Sequence, residues 1–302
     1  MNAIDLFAGA GGFSTGARMA GVDVVWAANH WPEAVQVHAN NHPHTVHACQ
    51  DLQQTDWRIV PAHDLLMASP ACQGHSRARG KERPHHDAMR STAWAVVSAV
   101  ECHQPAFVIV ENVPEFAAWA LYPAWCSAMG ALGYAVAPMI LDAADHGIPQ
   151  NRRRLFIVCT KSQHPIALTL PQRQHVPVNN VIDFNAGKWS RIDRAGRSPQ
   201  QLTRVTAGRK AYGERFLTAY YGNEHGGRSL DRPIGTLTTN DRYGVINGKF
   251  MRMLSVREAR DCMGFPTDYQ LPATHKEAMK MLGNAVVPQV ACDVINALKI
   301  AA

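Results

Sequence analysis

Asp5-Leu6-Phe7-Ala8-Gly9-Ala10-Gly11-Gly12-Phe13-Ser14-Thr15-Gly16 is the stretch whose reading decides the fold. Asn2 to Phe7 reads as a short apolar strand, and Gly12 to Ala20 as a helix entered through a glycine turn. Strand, glycine turn and helix form an α/β unit in which the backbone can approach a ligand closely. A dinucleotide fingerprint counted from Gly9 would need its third glycine at position 14. Ser14 stands there, so that reading fails. Asp5, ahead of the turn, is a carboxylate able to anchor a cationic or amine-bearing cofactor.

Outward from this unit the alternation continues. Val22 to Ala28, Leu65 to Ser69, Ala106 to Val110, Tyr134 to Leu141 and Leu155 to Thr160 read as strands. Pro32 to Asn40, Ser91 to His103 and Tyr122 to Leu132 read as helices between them. Such alternation predicts an α/β fold with a doubly wound, mostly parallel sheet covered on both faces. From about residue 161 Pro, Gln, Asn, Gly and Arg become frequent and helical periodicity fades. Arg232 to Thr238 and Tyr243 to Ile246 then suggest a small, mainly β unit. Helix returns at Ser255 to Met263, where Ser255-Val256-Arg257-Glu258 has the form of a capping box. A last apolar-faced helix, Pro288 to Ile300, is expected to pack back on the sheet. The resulting organisation is 1–160, 161–250 and 251–302.

Two strand ends carry reactive side chains. Ser69-Pro70-Ala71-Cys72-Gln73-Gly74-His75-Ser76 follows one apolar run, and Val108-Ile109-Val110-Glu111-Asn112-Val113 contains another. At the carboxyl ends of two strands, a thiol and a carboxylate would share one crevice of an open α/β sheet. That pair suits alkylation of a cytosine ring at carbon 5. A thiolate adds to carbon 6, and a carboxyl group handles charge and proton at ring nitrogen 3. A lone cysteine is more often a small buried hydrophobe. Of the seven cysteines, Cys72 alone sits in a Gly- and Ser-rich turn; the other six read as packing. No C-x-x-C pair occurs, so zinc or thioredoxin-like chemistry has no support, and no metal is expected.

The net charge is +6, unevenly spread. Residues 161–250 hold 14 Lys or Arg against 6 Asp or Glu, which leaves −2 for the other 212 residues. A basic segment on a near-neutral body suggests a polyanion-binding unit. No apolar run approaches the ~20 residues of a membrane span, and the N-terminus has no signal pattern. A soluble cytoplasmic protein with free thiols is the expectation.

Six blocks in order resemble the DNA cytosine-5 methyltransferase family. They are Asp5 to Gly12, Cys72 to Ser76, Glu111-Asn112-Val113, Gln150-Asn151-Arg152-Arg153-Arg154, Arg257 to Pro266, and Gly283-Asn284-Ala285-Val286-Val287-Pro288. They span nearly the whole chain, and the family's variable target-recognition domain would fall on the basic segment. The resemblance implies a Rossmann-like fold using S-adenosyl-L-methionine, with Cys72 as nucleophile and Glu111 at the amidine edge of a flipped cytosine. Arg152 and Arg154 share a strand face and would hold a phosphate or the base. Gln150 would hold the turn. Phe7 would stack near the adenine, with Gly9, Gly11 and Gly12 giving backbone access. Asp51 would accept from the adenine amino group with Leu52 beside it, Trp31 would line the sugar, and Asn284 and Val286 would complete that end.

Gly74 to Arg90 would be a loop closing over DNA, with Gln73, Ser76 and Arg90 as contacts. Arg204, Arg209 and Lys210 are the expected phosphate contacts of the recognition domain, and Thr236-Leu237 resembles a pair common there. The expected partner is double-stranded DNA, bound by a monomer, with a cognate restriction endonuclease in a restriction–modification setting. Two departures stand out: Ala71 replaces the family's usual Pro before the cysteine, and His30 occupies the place of its acidic ribose ligand. An RNA cytosine-5 methyltransferase and a catalytically silent DNA-binding regulator are the competing readings; the Cys-Phe-Thr signature of the transfer-RNA branch is absent.

Overall fold

The computed structural model describes residues 1–71, 85–220 and 226–301, and in 85–91 the backbone alone. The larger body is built from β1 (Asn2–Leu6), α1 (Gly12–Met19), β2 (Asp23–Asn29), α2 (Pro32–Asn41), β3 (Val46–Cys49), β4 (Leu65–Ala68), α3 (His85–His103), β5 (Phe107–Asn112), α4 (Tyr122–Ala131), β6 (Ala135–Asp142) and β7 (Arg153–Thr160). Its seven-stranded sheet has the order β3-β2-β1-β4-β5-β7-β6, parallel from β3 to β5, with β7 antiparallel to both neighbours. The mostly parallel, doubly wound sheet expected from the sequence is therefore the observed one.

Alternation along the strands builds two cores, because successive side chains point to opposite faces. Ala3, Leu65, Met67 and Ile109 pack under α1 and α2, while Ile4, Leu6, Leu66, Val108 and Val110 pack under α3 and α4. The strand order reverses between β1 and β4. Open α/β sheets bind ligands at such a switch point, beyond the carboxyl ends of the strands.

The second unit contains β8 (Ser190–Arg191), α5 (Pro199–Tyr212), β9 (Arg215–Ala219), β10 (Gly227–Arg228), β11 (Tyr243–Asn247) and β12 (Phe250–Met253). These strands form a five-stranded antiparallel sheet, β10-β9-β11-β12-β8. α5 lies so close to it that a side chain at Gly208 would overlap the Phe216 ring. The chain then returns through α6 (Val256–Cys262), α7 (His275–Asn284) and α8 (Pro288–Ala301). The capping box of α6 is present in full, between Ser255 and Glu258. Glu258 is also bound by the buried Arg252, whose guanidinium lies 2.6 Å away.

α8 packs on α1 at backbone distance. A Cβ at Gly12 would overlap the Val286 carbonyl, and one at Gly16 would lie 2.6 Å from the Ala291 Cβ. His275–Ala301 is long and apolar enough, by length and composition, to cross a membrane, a stretch not expected from the sequence. It is broken at 285–287, and 78% of its apolar window is buried in the protein.

Four expectations are corrected. Arg232 to Thr238 is no strand; it makes one bridge, Gln150 to Ile234. Pro233 has no N–H for a ladder, and the polar groups of its neighbours bond to the 149–151 segment instead. The 14-residue α5 lies where helical periodicity was lacking. Its start was nonetheless legible in Ser198-Pro199: the Ser198 hydroxyl accepts from the Gln201 N–H at 3.3 Å, and Pro199 occupies the first turn. The expected loop up to Arg90 is helical from His85 onward, so the backbone of Arg90 belongs to α3. Cys49 and Cys102 are exposed rather than packed.

Candidate active site

A cleft of about 310 Å³ opens at the switch point. Phe7, Ala8, Gly9 and Ala10 line it from the turn after β1, and Asn29, His30, Trp31 and Pro32 from the end of β2. Ser69, Pro70 and Ala71 follow β4, Glu111 lies one residue before the end of β5, and Lys280, Met281, Asn284, Ala285 and Val286 close it from α7 onward. Four strand ends and one returning helix thus converge, and the size is at the lower end of small-molecule sites.

The turn after β1 is held in an uncommon conformation. Phe7 has φ 60°, left-handed backbone that a bulky residue adopts only where surroundings enforce it. The Ser69 hydroxyl donates to the Phe7 carbonyl at 3.2 Å and fixes it from β4. Gly9, also left-handed at φ 54°, follows on the cleft wall. Gly11 and Gly12 do not face the cleft. Gly11 is wedged against Tyr269, His38 and His42, and Gly12 against the Val286 backbone, so both serve packing.

At the opposite end lies Glu111, 6% exposed. Burial pushes its carboxyl above the ordinary carboxylate range, while first Arg154 and then Arg152 pull it back. The Arg154 Nε is 3.2 Å from the Glu111 Oε1. Next to it the Asn112 Nδ2 donates to the Pro70 carbonyl at 3.1 Å, and its Oδ1 accepts from the Val113 N–H. The β5 end is thereby tied to the segment that runs into Cys72.

Cys72, Gln73 and Ser76 lie outside the described residues, as does the side chain of Arg90. Of the expected cofactor residues, Phe7, Gly9, His30, Trp31, Asn284 and Val286 line the cleft. The Asn29 Oδ1 accepts from the Trp31 N–H at 3.0 Å, and the Lys280 Nζ stands 4.1 Å from the Trp31 ring centre. Asp51 and Leu52 do not line it: Asp51 caps a short 3-10 turn through the Gln53 N–H, and Leu52 is buried in the core under α3. Asp5 is also turned inward, fully buried beneath the turn.

Arg152 is not available to a phosphate or base. Its guanidinium donates to the Leu237, Gly283 and Ala285 carbonyls at 3.0, 2.9 and 2.8 Å, so it clamps the two returning segments onto β7. Gln150 makes a parallel clamp, donating to the Cys262 carbonyl and accepting from the Leu237 N–H. The expected basic trio is not one patch either. At 100° per residue, Arg204, Arg209 and Lys210 point in three directions around α5. The Arg209 Nη2 donates to the Gly248 carbonyl at 2.7 Å, whereas Lys210 is exposed. Residues the sequence did not single out are Asn112, Ser69 and Lys280; only Asn112, beside Glu111 in its block, carried a signal.

The order of strands, the crevice and the buried carboxyl define a methyltransferase-type α/β fold, and the relatives agree. Residues 1–300 match the family model of the C-5 cytosine-specific DNA methylases, and the chain belongs to that family. The type II methyltransferase M.HgiDI of Herpetosiphon aurantiacus is 29% identical over 99% of this chain and 94% of its own. M.HhaI of Haemophilus parahaemolyticus, also a type II methyltransferase, is 27% identical over 95% and 90%. Among solved structures, DNMT2 of Spodoptera frugiperda superposes with a TM-score of 0.70, at 15% identity over 99% of both chains. The Dnmt2 methyltransferase of S. pombe gives 0.69 at 16% identity over 99% and 98%. At those identities the likeness is one of fold.

Proposed function

We propose that the protein transfers a methyl group from S-adenosyl-L-methionine to carbon 5 of a cytosine turned out of duplex DNA. The observation that carries this is the buried Glu111 carboxyl. It shares one cleft with the strained Phe7–Gly9 turn and with the segment entering Cys72. The lining fits the cofactor: aromatic faces at Phe7 and Trp31 suit an adenine, and polar groups at Asn29, His30 and Asn284 suit ribose hydroxyls and an amino acid end. When bound, S-adenosyl-L-methionine supplies an electrophilic methyl group on a sulfonium.

The chain's own residues then do the following. The Cys72 thiolate adds to carbon 6 of the ring and moves electron density toward carbon 5. Glu111, whose carboxyl burial pushes above its ordinary range, gives its proton to ring nitrogen 3 as that density builds, and Arg154 steadies the carboxylate that remains. After methylation a base removes the proton from carbon 5, the thiolate leaves carbon 6, and Glu111 recovers its proton. The base must leave the stack first, because carbon 6 is inaccessible inside a duplex.

Residues 161–250 are the proposed target-recognition unit, and 1–160 with 251–302 the catalytic one. The basic charge of the former fits contact with phosphates. A monomer in the cytoplasm, paired with a restriction endonuclease, completes the reading. Transfer of labelled methyl from S-adenosyl-L-methionine tests it. Duplex DNA should be labelled, RNA should not, and Cys72→Ser should abolish labelling. Labelling of RNA alone would favour the RNA reading, and labelled DNA from Cys72→Ser would refute the covalent route.

A further inference from the structure

Beneath the glycine turn lies a chain of polar side chains that the reaction above does not use. The Asp5 Oδ2 accepts from the Ser14 hydroxyl at 2.7 Å and from the Ser14 N–H at 3.1 Å. The His38 Nε2 lies 2.9 Å from the Ser14 Oγ, and the His38 Nδ1 lies 2.8 Å from the His47 Nε2. Asp5, Ser14 and His38 are buried, whereas His47 on β3 is half-buried. The Asp5 Oδ1 is buried without a hydrogen-bond partner.

The bonds fix their own direction. The Ser14 hydroxyl has one proton and gives it to Asp5. It must therefore accept from the His38 Nε2–H, which leaves the His38 Nδ1 as acceptor from the His47 Nε2–H. All donors point from the surface toward the Asp5 carboxylate. The same layer touches the cleft: Gly11 is packed against His38, His42 and Tyr269, and the Tyr269 hydroxyl donates to the carbonyl of Ala10, a cleft residue.

We propose that His47, His38 and Ser14 relay protons between solvent and Asp5, and that Asp5 is a positioning residue whose charge sets the cleft's affinity for a cationic cofactor. The relay balances. A proton arrives at the His47 Nδ1 as its Nε2 proton passes to the His38 Nδ1. The His38 Nε2 proton passes to the Ser14 Oγ, and the Ser14 proton passes to the Asp5 Oδ2. One proton enters, one rests on Asp5, and both imidazoles end neutral in the opposite tautomer.

The groups facing Asp5 suit this. Burial, then neighbouring histidines, hold His38 well below its ordinary range, so it conducts without becoming charged. Burial lowers His42 to about 4, with Arg18 adding to the effect, and burial lowers His47 less. Tyr269, pushed up by burial, stays neutral. Burial raises Asp5 to about 7, against the bonds from Ser14, so its charge changes near neutrality. Ionised, Asp5 places a negative charge under the turn, in low dielectric, where a sulfonium would feel it. S-adenosylhomocysteine lacks the sulfonium and would not.

This rests on the cleft being the S-adenosyl-L-methionine site. Calorimetric binding of the full chain separates the two ideas, since failure to bind that cofactor at any pH refutes the site, and the pH response tests the charge of Asp5 and its bond from Ser14. Affinity for S-adenosyl-L-methionine should rise about threefold or more from about pH 6 to about pH 8, and that for S-adenosylhomocysteine much less. Asp5→Asn should remove the difference between the two ligands. Ser14→Ala, which leaves the carboxyl but removes a donor to it, should move the midpoint to higher pH. Equal pH responses for the two ligands, or an unshifted midpoint in Ser14→Ala, would overturn the proposal even if Asp5→Asn failed to fold.

Discussion

Replacing Arg152 by methionine separates a structural clamp from a substrate ligand. The side chain is 2% exposed, and its guanidinium holds three carbonyls, those of Leu237, Gly283 and Ala285. Methionine matches much of the apolar stem but offers no donor. A lost charge-assisted bond to a buried carbonyl costs about 1.5–3 kcal/mol. The three share one donor group, and carbonyls have a second lone pair, so the sum is less than additive. A loss of about 3–5 kcal/mol is expected, a large part of the 5–15 kcal/mol typical of a folded domain. With a urea dependence near 3 kcal/mol per M, the unfolding midpoint should fall by roughly 1–1.7 M. Arg152→Lys should fall in between, because one ammonium can reach some of the carbonyls but cannot fork to all three. Urea unfolding followed by circular dichroism measures this. A variant that keeps its midpoint yet loses methyl transfer would refute the clamp and restore Arg152 as a ligand.

Arg154→Met should raise the Glu111 carboxyl further, since it removes the larger of the two charges that oppose burial. The limb of the kcat/KM profile that belongs to Glu111 should move to higher pH, and a downward move would contradict the pairing. Arg209→Met should lower stability with little effect on the salt dependence of DNA binding, because its guanidinium holds the Gly248 carbonyl; Lys210→Gln should do the reverse, measured by titration at several salt concentrations. His30→Glu should tighten S-adenosyl-L-methionine by about 1 kcal/mol, as a carboxylate accepts ribose hydroxyls in charge-assisted bonds; calorimetric weakening would make the imidazole a specific ligand. Asp5 predicts a pH slope in stability. Its carboxyl titrates near 7 folded, against 3.8 ordinarily, so the folded chain holds the extra proton between those values. Stability should fall by a few kcal/mol as pH rises through that window, and Asp5→Asn should flatten the fall in urea midpoints.

The sheet was legible because its signals are local. Apolar runs of strand length, Gly-rich turns and a Pro at the first turn of α2 each act within a few residues. The cleft followed from topology, since a glycine turn after β1 and a carboxyl ending β5 meet once the sheet is parallel. What was misread depends on long-range partners. Arg152 and Arg154 differ by two positions, yet one meets three carbonyls from distant segments and the other meets Glu111. Asp5 is seven residues from Gly12 and looked like a ligand because nothing in the strand itself shows that Ser14 of α1 and His38 of α2 lie over its carboxyl. The segment from Arg232 to Thr238 has strand-like residues, but its bonds are claimed by Gln150 and Asn151.

The replacement of the family's usual Pro by Ala71 gains a physical setting from Asn112. A proline before the nucleophile would restrict the backbone that presents it. Here proline stands one position earlier, and the buried Asn112 amide grips the Pro70 carbonyl from the neighbouring strand. Asn112 is itself fixed, because its Oδ1 accepts from the Val113 N–H and it ends the β5 strand next to Glu111. The restraint on the segment entering Cys72 thus comes from a hydrogen bond across strands as well as from a ring in the chain. Asn112 therefore joins the β4 end at Pro70 to the β5 end that carries Glu111, and under the proposed reaction it would be a positioning residue that touches neither the cytosine nor the cofactor.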